Sequence, residues 1–147
     1  QNSSAKEVGQ ISKRELWLIG VILYWLKRNK NDFKNGVMFA SSDSEIIKLF
    51  LKWLQIIGGI KNEEIKFDIF LKKKGTLPEE VLKKTIKFWS DNTGFSRDKF
   101  LHHIYFQKGS GGNNENKIYG FLRIRVKASS MLARQISGWR AGIIKDI

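Results

Sequence analysis

Residues 12–30, SKRELWLIGVILYWLKRNK, constrain this chain more than any other stretch. From Leu16 to Leu26 no side chain is charged, and apolar groups occupy every side of a helix. A helix that is apolar all round is normally buried, and this run is far short of the roughly 20 residues a membrane span needs. Ser12 and Glu15 form S-x-x-E, a capping box that starts the helix just before the apolar run. Gly20 sits mid-helix, where glycine costs about 1 kcal/mol relative to alanine. Such a glycine points to another backbone packed close against it. After Leu26 the character turns abruptly to Lys27, Arg28, Asn29 and Lys30. The stretch predicts a central buried helix that emerges into a basic surface. An ordinary core helix with a solvated basic end accounts for this segment alone equally well.

Charge narrows the partner. In 147 residues, 27 Lys and Arg oppose 14 Asp and Glu, for a net charge of +13. An excess of this size in one domain fits a polyanion, and nucleic acid is the usual one. A membrane surface is disfavoured, because neither end carries a basic helix with one clean apolar face. With no cysteine, disulfides and thiolate metal sites are excluded. Lys13 and Arg14 before an apolar run imitate a secretory signal, but no small-residue cleavage site follows. The chain opens on Gln1, which reads as a processed chain or a fragment.

Residues 1–11 read as a loose tail, and residues 12–147 as one domain. After the first helix, residues 29–36 form a polar turn, and residues 37–41 a short strand with Val37 and Phe39 on one face. Ser42 and Glu45 suggest a second capping box. The helix it starts places Ile46, Ile47, Phe50, Leu51, Leu54 and Ile57 inward and Lys48, Lys52 and Gln55 outward. Residues 64–72 alternate, with Ile65, Phe67, Ile69 and Leu71 facing one way and Lys66, Asp68, Phe70 and Lys72 the other. A helix follows from about Leu77 to Ser90, capped by Thr76 and Glu79. Residues 100–108 read as a strand and GSGGNNEN as a hairpin-like connection. Residues 117–127 form the clearest strand. Ile118, Gly120, Leu122, Ile124 and Val126 are expected inward, and Lys117, Tyr119, Phe121, Arg123, Arg125 and Lys127 outward. Ser129 or Ser130 caps a last helix. Helices against an antiparallel sheet give an α+β fold.

The outward face of that last strand is where chemistry concentrates. Cations neutralise phosphates and release counterions, arginine forks onto guanine edges, and Tyr119 and Phe121 are able to stack on exposed bases. Lys66 and Lys72 extend the same surface. The plain alternative is a sheet face made soluble by charge. Carboxylate chemistry is poorly supported: Asp32 is the one weak catalytic candidate, standing among Lys27, Arg28, Lys30 and Lys34. Asp43 and Glu45 suit a helix N-terminus. His102 and His103, read as strand neighbours, point to opposite faces and cannot share a metal. No metal-binding or nucleotide-binding motif is present.

Taken in order, LIGVILYW, VMFASSDSEIIKLFLKWLQIIGGI, IKFDIFL and YGFLRIRVKASSMLARQISGWRAG resemble a LAGLIDADG homing-endonuclease-type domain. The likeness is greater to a compact prokaryotic single-motif type whose first helix ends in a YW-x-E-G-x-K-like string. The resemblance implies a saddle-shaped antiparallel sheet that lies on nucleic acid, backed by helices. It also implies a homodimer across the first helix, with Leu16, Ile19, Gly20 and Leu23 at the contact. In such nucleases an acid at the end of the motif helix holds the metal. Here that position falls on Trp25 or Lys27, and a cation cannot replace a carboxylate ligand.

The sequence therefore predicts a nucleic-acid-binding domain, DNA ahead of RNA, that has lost cleavage and carries no cofactor. Its expected contacts are Lys27, Arg28, Lys30, Lys34, Lys66, Lys72, Lys117, Tyr119, Phe121, Arg123, Arg125 and Lys127. The expected location is cytoplasmic. Two alternatives stand beside it: an active magnesium-dependent endonuclease using Asp32, and a structural protein seated on folded RNA.

Overall fold

The structure, a computed structural model, describes residues 2–73, 77–108 and 118–147. The elements in order are α1 (Asn2–Val8), α2 (Lys13–Lys27), α3 (Asp32–Asn35), β1 (Met38–Ser41), α4 (Ser44–Ile56), β2 (Ile65–Lys73), α5 (Glu79–Thr93), β3 (Ile104–Lys108), β4 (Phe121–Val126) and α6 (Ser130–Lys145). The strands form one four-stranded sheet in the order β1–β4–β2–β3. The fold is α+β, with helices packed on the sheet. Among the described residues no helix is long and apolar enough to cross a membrane.

The sheet is mixed, which corrects the expected antiparallel arrangement. β4 runs antiparallel to both β1 and β2, but β2 and β3 are parallel. The cause is α5. A helix between two strands carries the chain back to the end where the first strand began, so the next strand runs the same way. The strand order also removes the expected hairpin between β3 and β4, because β2 lies between them. The GSGGNNEN connection itself lies outside the described residues, as do Thr76 and Lys117.

The capping box of α2 forms as read: Glu15 N–H donates to Ser12 Oγ at 3.0 Å, and Ser12 N–H to Glu15 Oε1 at 2.7 Å. The helix is not wholly buried, however. Leu16, Gly20, Val21 and Tyr24 enter the core, while Ile19 and Leu26 are exposed. Gly20 serves a contact within the chain. A Cβ there would lie 2.0 Å from Cδ1 of Trp53. The glycine is a notch for the Trp53 indole, whose Nε1 donates to Trp17 O at 3.1 Å. Leu16 is likewise part of the chain's own core. The tail is also corrected in part, since residues 2–8 are helical.

An aromatic column ties the helices to the sheet. Phe39 of β1 stacks on Phe50 of α4 at 4.3 Å, and Phe50 in turn meets Trp53 at 5.5 Å and Tyr24 of α2 at 5.8 Å. Beneath it the inward row of Ile65, Phe67, Ile69, Leu71, Leu122, Ile124 and Val126 is buried, as its period of two requires. The N-cap of α4 is Asp43 rather than Ser42, its carboxylate accepting from Glu45 N–H at 2.9 Å. Every second residue of β2 and β4 is thereby directed away from the helices.

Candidate nucleic-acid interface

Register determines what the outward face presents. Lys66 pairs with Arg125, Asp68 with Arg123, and Phe70 with Phe121 and Tyr105. Lys72 pairs with Gln107 across the parallel ladder. On β1, Met38 lies beside Arg125 and Ala40 beside Arg123. The face thus carries a cationic end around Lys66 and Arg125, a central carboxylate between arginines, and an aromatic row.

Asp68 is the centre of this face and is only 1% exposed. Arg125 clasps it with two donors, Nε to Oδ2 at 2.6 Å and Nη2 to Oδ1 at 3.1 Å. Arg123 adds Nε at 3.0 Å and Nη2 at 2.9 Å, both to Oδ2. Nδ1 of His103 stands 3.9 Å from Oδ1. Burial pushes the Asp68 carboxyl up, and hydrogen bonds from Arg125 and Arg123 outweigh it, leaving the group below its ordinary value. The same hydrogen bond raises Arg125. Both arginines remain about a third exposed. They are held in place with part of each side chain facing solvent.

The next row is aromatic. Phe121 stacks on Phe70 at 4.9 Å and 15°, and Phe70 on Tyr105 at 5.4 Å and 29°. The Arg123 guanidinium lies 4.9 Å from the centre of the Phe70 ring. Beyond the opposite end of the face, Lys99 Nζ donates to the backbone carbonyls of Ile65 at 3.1 Å and Asn62 at 3.3 Å. Its pKa is lowered by burial first, then by the nearby charge of Lys66, with Lys127 a lesser contributor.

Tyr119 is a correction. Gly120 has φ of 65°, and a Cβ there would lie 2.0 Å from the Phe70 carbonyl oxygen. That kink breaks the alternation, so β4 begins at Phe121. Tyr119 turns onto Phe88 of α5 at 4.3 Å, and its carbonyl accepts from Trp89 Nε1 at 2.9 Å. It does not share the face with Phe121, and Ile118, expected inward, is 72% exposed. His102 and His103 also differ from the strand reading. His102 has φ of 66° in the turn before β3.

Asp32 has a structural role. It is fully buried, accepts from Tyr24 Oη at 2.8 Å, and is forked by Arg28 through Nε at 3.0 and 3.1 Å and Nη2 at 2.9 Å. Both carboxylate oxygens are thus engaged, and burial followed by Asp32 raises the Tyr24 hydroxyl. Arg28, expected on phosphate, is committed to this pair and to the Phe33 ring at 5.2 Å. Lys27, Lys30 and Lys34 are exposed at the corner that joins α2, α3 and β1, on the helical part of the molecule. Among the described residues no three His, Asp or Glu side chains converge as metal ligands.

Phe70 and Lys72 stood on the outward side of their strand in the sequence, but Tyr105, Gln107, His103 and Lys99 carried no such signal. Only the parallel pairing of β3 brings the first three beside β2. No protein family, curated protein or solved structure matches this chain.

Proposed function

We propose that this chain binds nucleic acid through the open face of its sheet, with Lys66, Lys72, Arg123 and Arg125 on phosphates, and that it does so without cleaving. One observation carries the reading. The face directed away from the helices combines these four cations with an aromatic row, and among the described residues of β2, β3 and β4 Asp68 is the carboxylate that lies on it. Positive charge by itself does not distinguish the face. Lys48 and Lys52 stand on α4, and Lys83, Lys84 and Lys87 on α5. On α5 each lysine is paired within the helix, to Glu79, Glu80 and Asp91, as Arg123 and Arg125 are to Asp68 on the sheet, so the aromatic row is what sets the sheet face apart.

A LAGLIDADG-like arrangement belongs to the proposal. A helix-backed sheet with a cationic face directed away from the helices agrees with it, and the parallel β2–β3 pair departs from it. DNA is preferred over RNA on that likeness. The test is affinity against salt. If about four phosphates are engaged, log K falls against log salt with a slope of about −3 on a single strand and nearly −4 on a duplex. A slope near zero overturns the phosphate account. Incubation with supercoiled plasmid and magnesium tests the second half, and nicking that is lost in an Asp32→Asn protein with native circular dichroism would restore the endonuclease reading.

Self-association through α2 is part of the same proposal. Leu18, Ile19, Ile22, Leu23 and Leu26, with Leu49 of α4, line an open apolar depression. Of the residues expected at that contact, Ile19 and Leu23 lie on it. Sedimentation equilibrium of the chain and of Leu26→Lys tests it: a dimer that dissociates in the variant is expected, and a monomer in both overturns it.

A further inference from the structure

Resting on the reading that the sheet face binds nucleic acid, we propose that it selects unpaired strands, a base adding to the ring row at Tyr105. Phe121, Phe70 and Tyr105 occupy neighbouring strands in register, with centroids 4.9 and 5.4 Å apart and planes within 15° and 29°. Strands are spaced by about 4.8 Å. Rings that stack face to face at strand spacing stand on edge, and their faces look along the sheet across the strands.

The row ends on β3, an edge strand of the sheet. One face of Tyr105 is covered by Phe70, and among the described residues no other ring meets it. Tyr105 is 44% exposed. Its outer face is a stacking platform at the sheet's edge, and a base placed there continues the series at ring spacing. Every base offers such a face, so the contact tolerates any sequence. A base inside a duplex is covered on both sides and must first leave its stack. Lys72 and Gln107 stand in the next row, and the row before holds the Asp68 carboxylate with Arg123 bonded to it, so the cation and amide nearest the platform lie on the Lys72 side. A row of apolar rings on a solvated sheet is also hard to explain by solubility.

The experiment is fluorescence anisotropy with an end-labelled DNA single strand of about 15 nucleotides and with the same sequence as a duplex. The full chain is compared with Tyr105→Ala, Tyr105→Phe and Lys66→Gln, each checked for native circular dichroism. The expected result is tighter binding of the single strand. Tyr105→Ala should weaken that binding about fivefold to a hundredfold, leaving the duplex and the salt slope unchanged, and Tyr105→Phe should retain it. Equal or tighter duplex binding, or indifference of the single strand to Tyr105→Ala, overturns the inference while Lys66→Gln still reports on the face. Binding of neither strand, or binding that ignores Lys66→Gln as well, overturns the reading beneath it.

Discussion

Replacing Asp68 by Asn should make the protein less stable and yet bind nucleic acid more tightly. Asn keeps the shape of the side chain and removes its charge. In the native protein that charge occupies donors of both Arg123 and Arg125. A phosphate held on the far side of either guanidinium would lie about 7 Å from the carboxylate, so removing the repulsion is worth about 0.6 kcal/mol in water-like surroundings and about 2.4 kcal/mol at an effective dielectric of 20. Affinity should rise about threefold to about fiftyfold, with the lower end at physiological salt. Meanwhile the anionic acceptor is lost, and the amide NH2 that replaces one carboxylate oxygen offers the guanidinium donors no acceptor. Because the arginines are a third exposed, the loss is discounted to about 1–2 kcal/mol, or about 2–8 °C in Tm for a chain of this size. Anisotropy at fixed salt and thermal unfolding by circular dichroism measure the two effects. Unchanged or weaker binding by a folded Asp68→Asn protein would refute the placement of phosphates on this face. Asp32→Asn, altering a buried acid–arginine pair among the helices, is the control: it should destabilise without changing affinity.

Three further outcomes follow from the packing and the charges. Gly20→Ala should destabilise by about 1–3 kcal/mol, since the added methyl meets the Trp53 ring and overpacking outweighs alanine's helix preference of about 1 kcal/mol; urea denaturation checks it. Asp32→Ala should cost about 2–4 kcal/mol by the same assay, because it strands the Tyr24 hydroxyl and the Arg28 guanidinium. The Asp68 carboxyl is held below its ordinary value of 3.8. Its stabilisation is therefore complete above that pH and is lost as pH falls through the lower folded value. The urea midpoint should decline below about pH 4, and Asp68→Asn should decline less over the same range.

Local signals in the sequence translated well into structure. The S-x-x-E box placed the start of α2 to the residue, and the period of two placed Lys66, Asp68, Phe70, Phe121, Arg123 and Arg125 on the outward sides of their strands. Pairing was not legible. Nothing local says that β3 joins β2 in parallel, so Tyr105 and His103 could not be assigned to the face. That Asp68 would meet two arginines depends on a register set by contacts far apart in the chain. Gly20 shows the limit of reading a residue alone: its need for close approach was visible, but the neighbour proved to be an indole of the same chain. Tyr119 failed for a related reason, because the alternation holds only while φ stays negative, and Gly120 reverses it.

The central claim is that the sheet face directed away from the helices meets the nucleic acid. Backbone amide NMR of the labelled protein, titrated with a DNA single strand, tests it residue by residue. The account predicts that the largest shifts fall on Lys66 to Lys72, Tyr105 to Gln107 and Phe121 to Arg125. Shifts concentrated on Lys83 to Lys87 of α5 or on Lys27 to Lys34, with the strands unmoved, would contradict it.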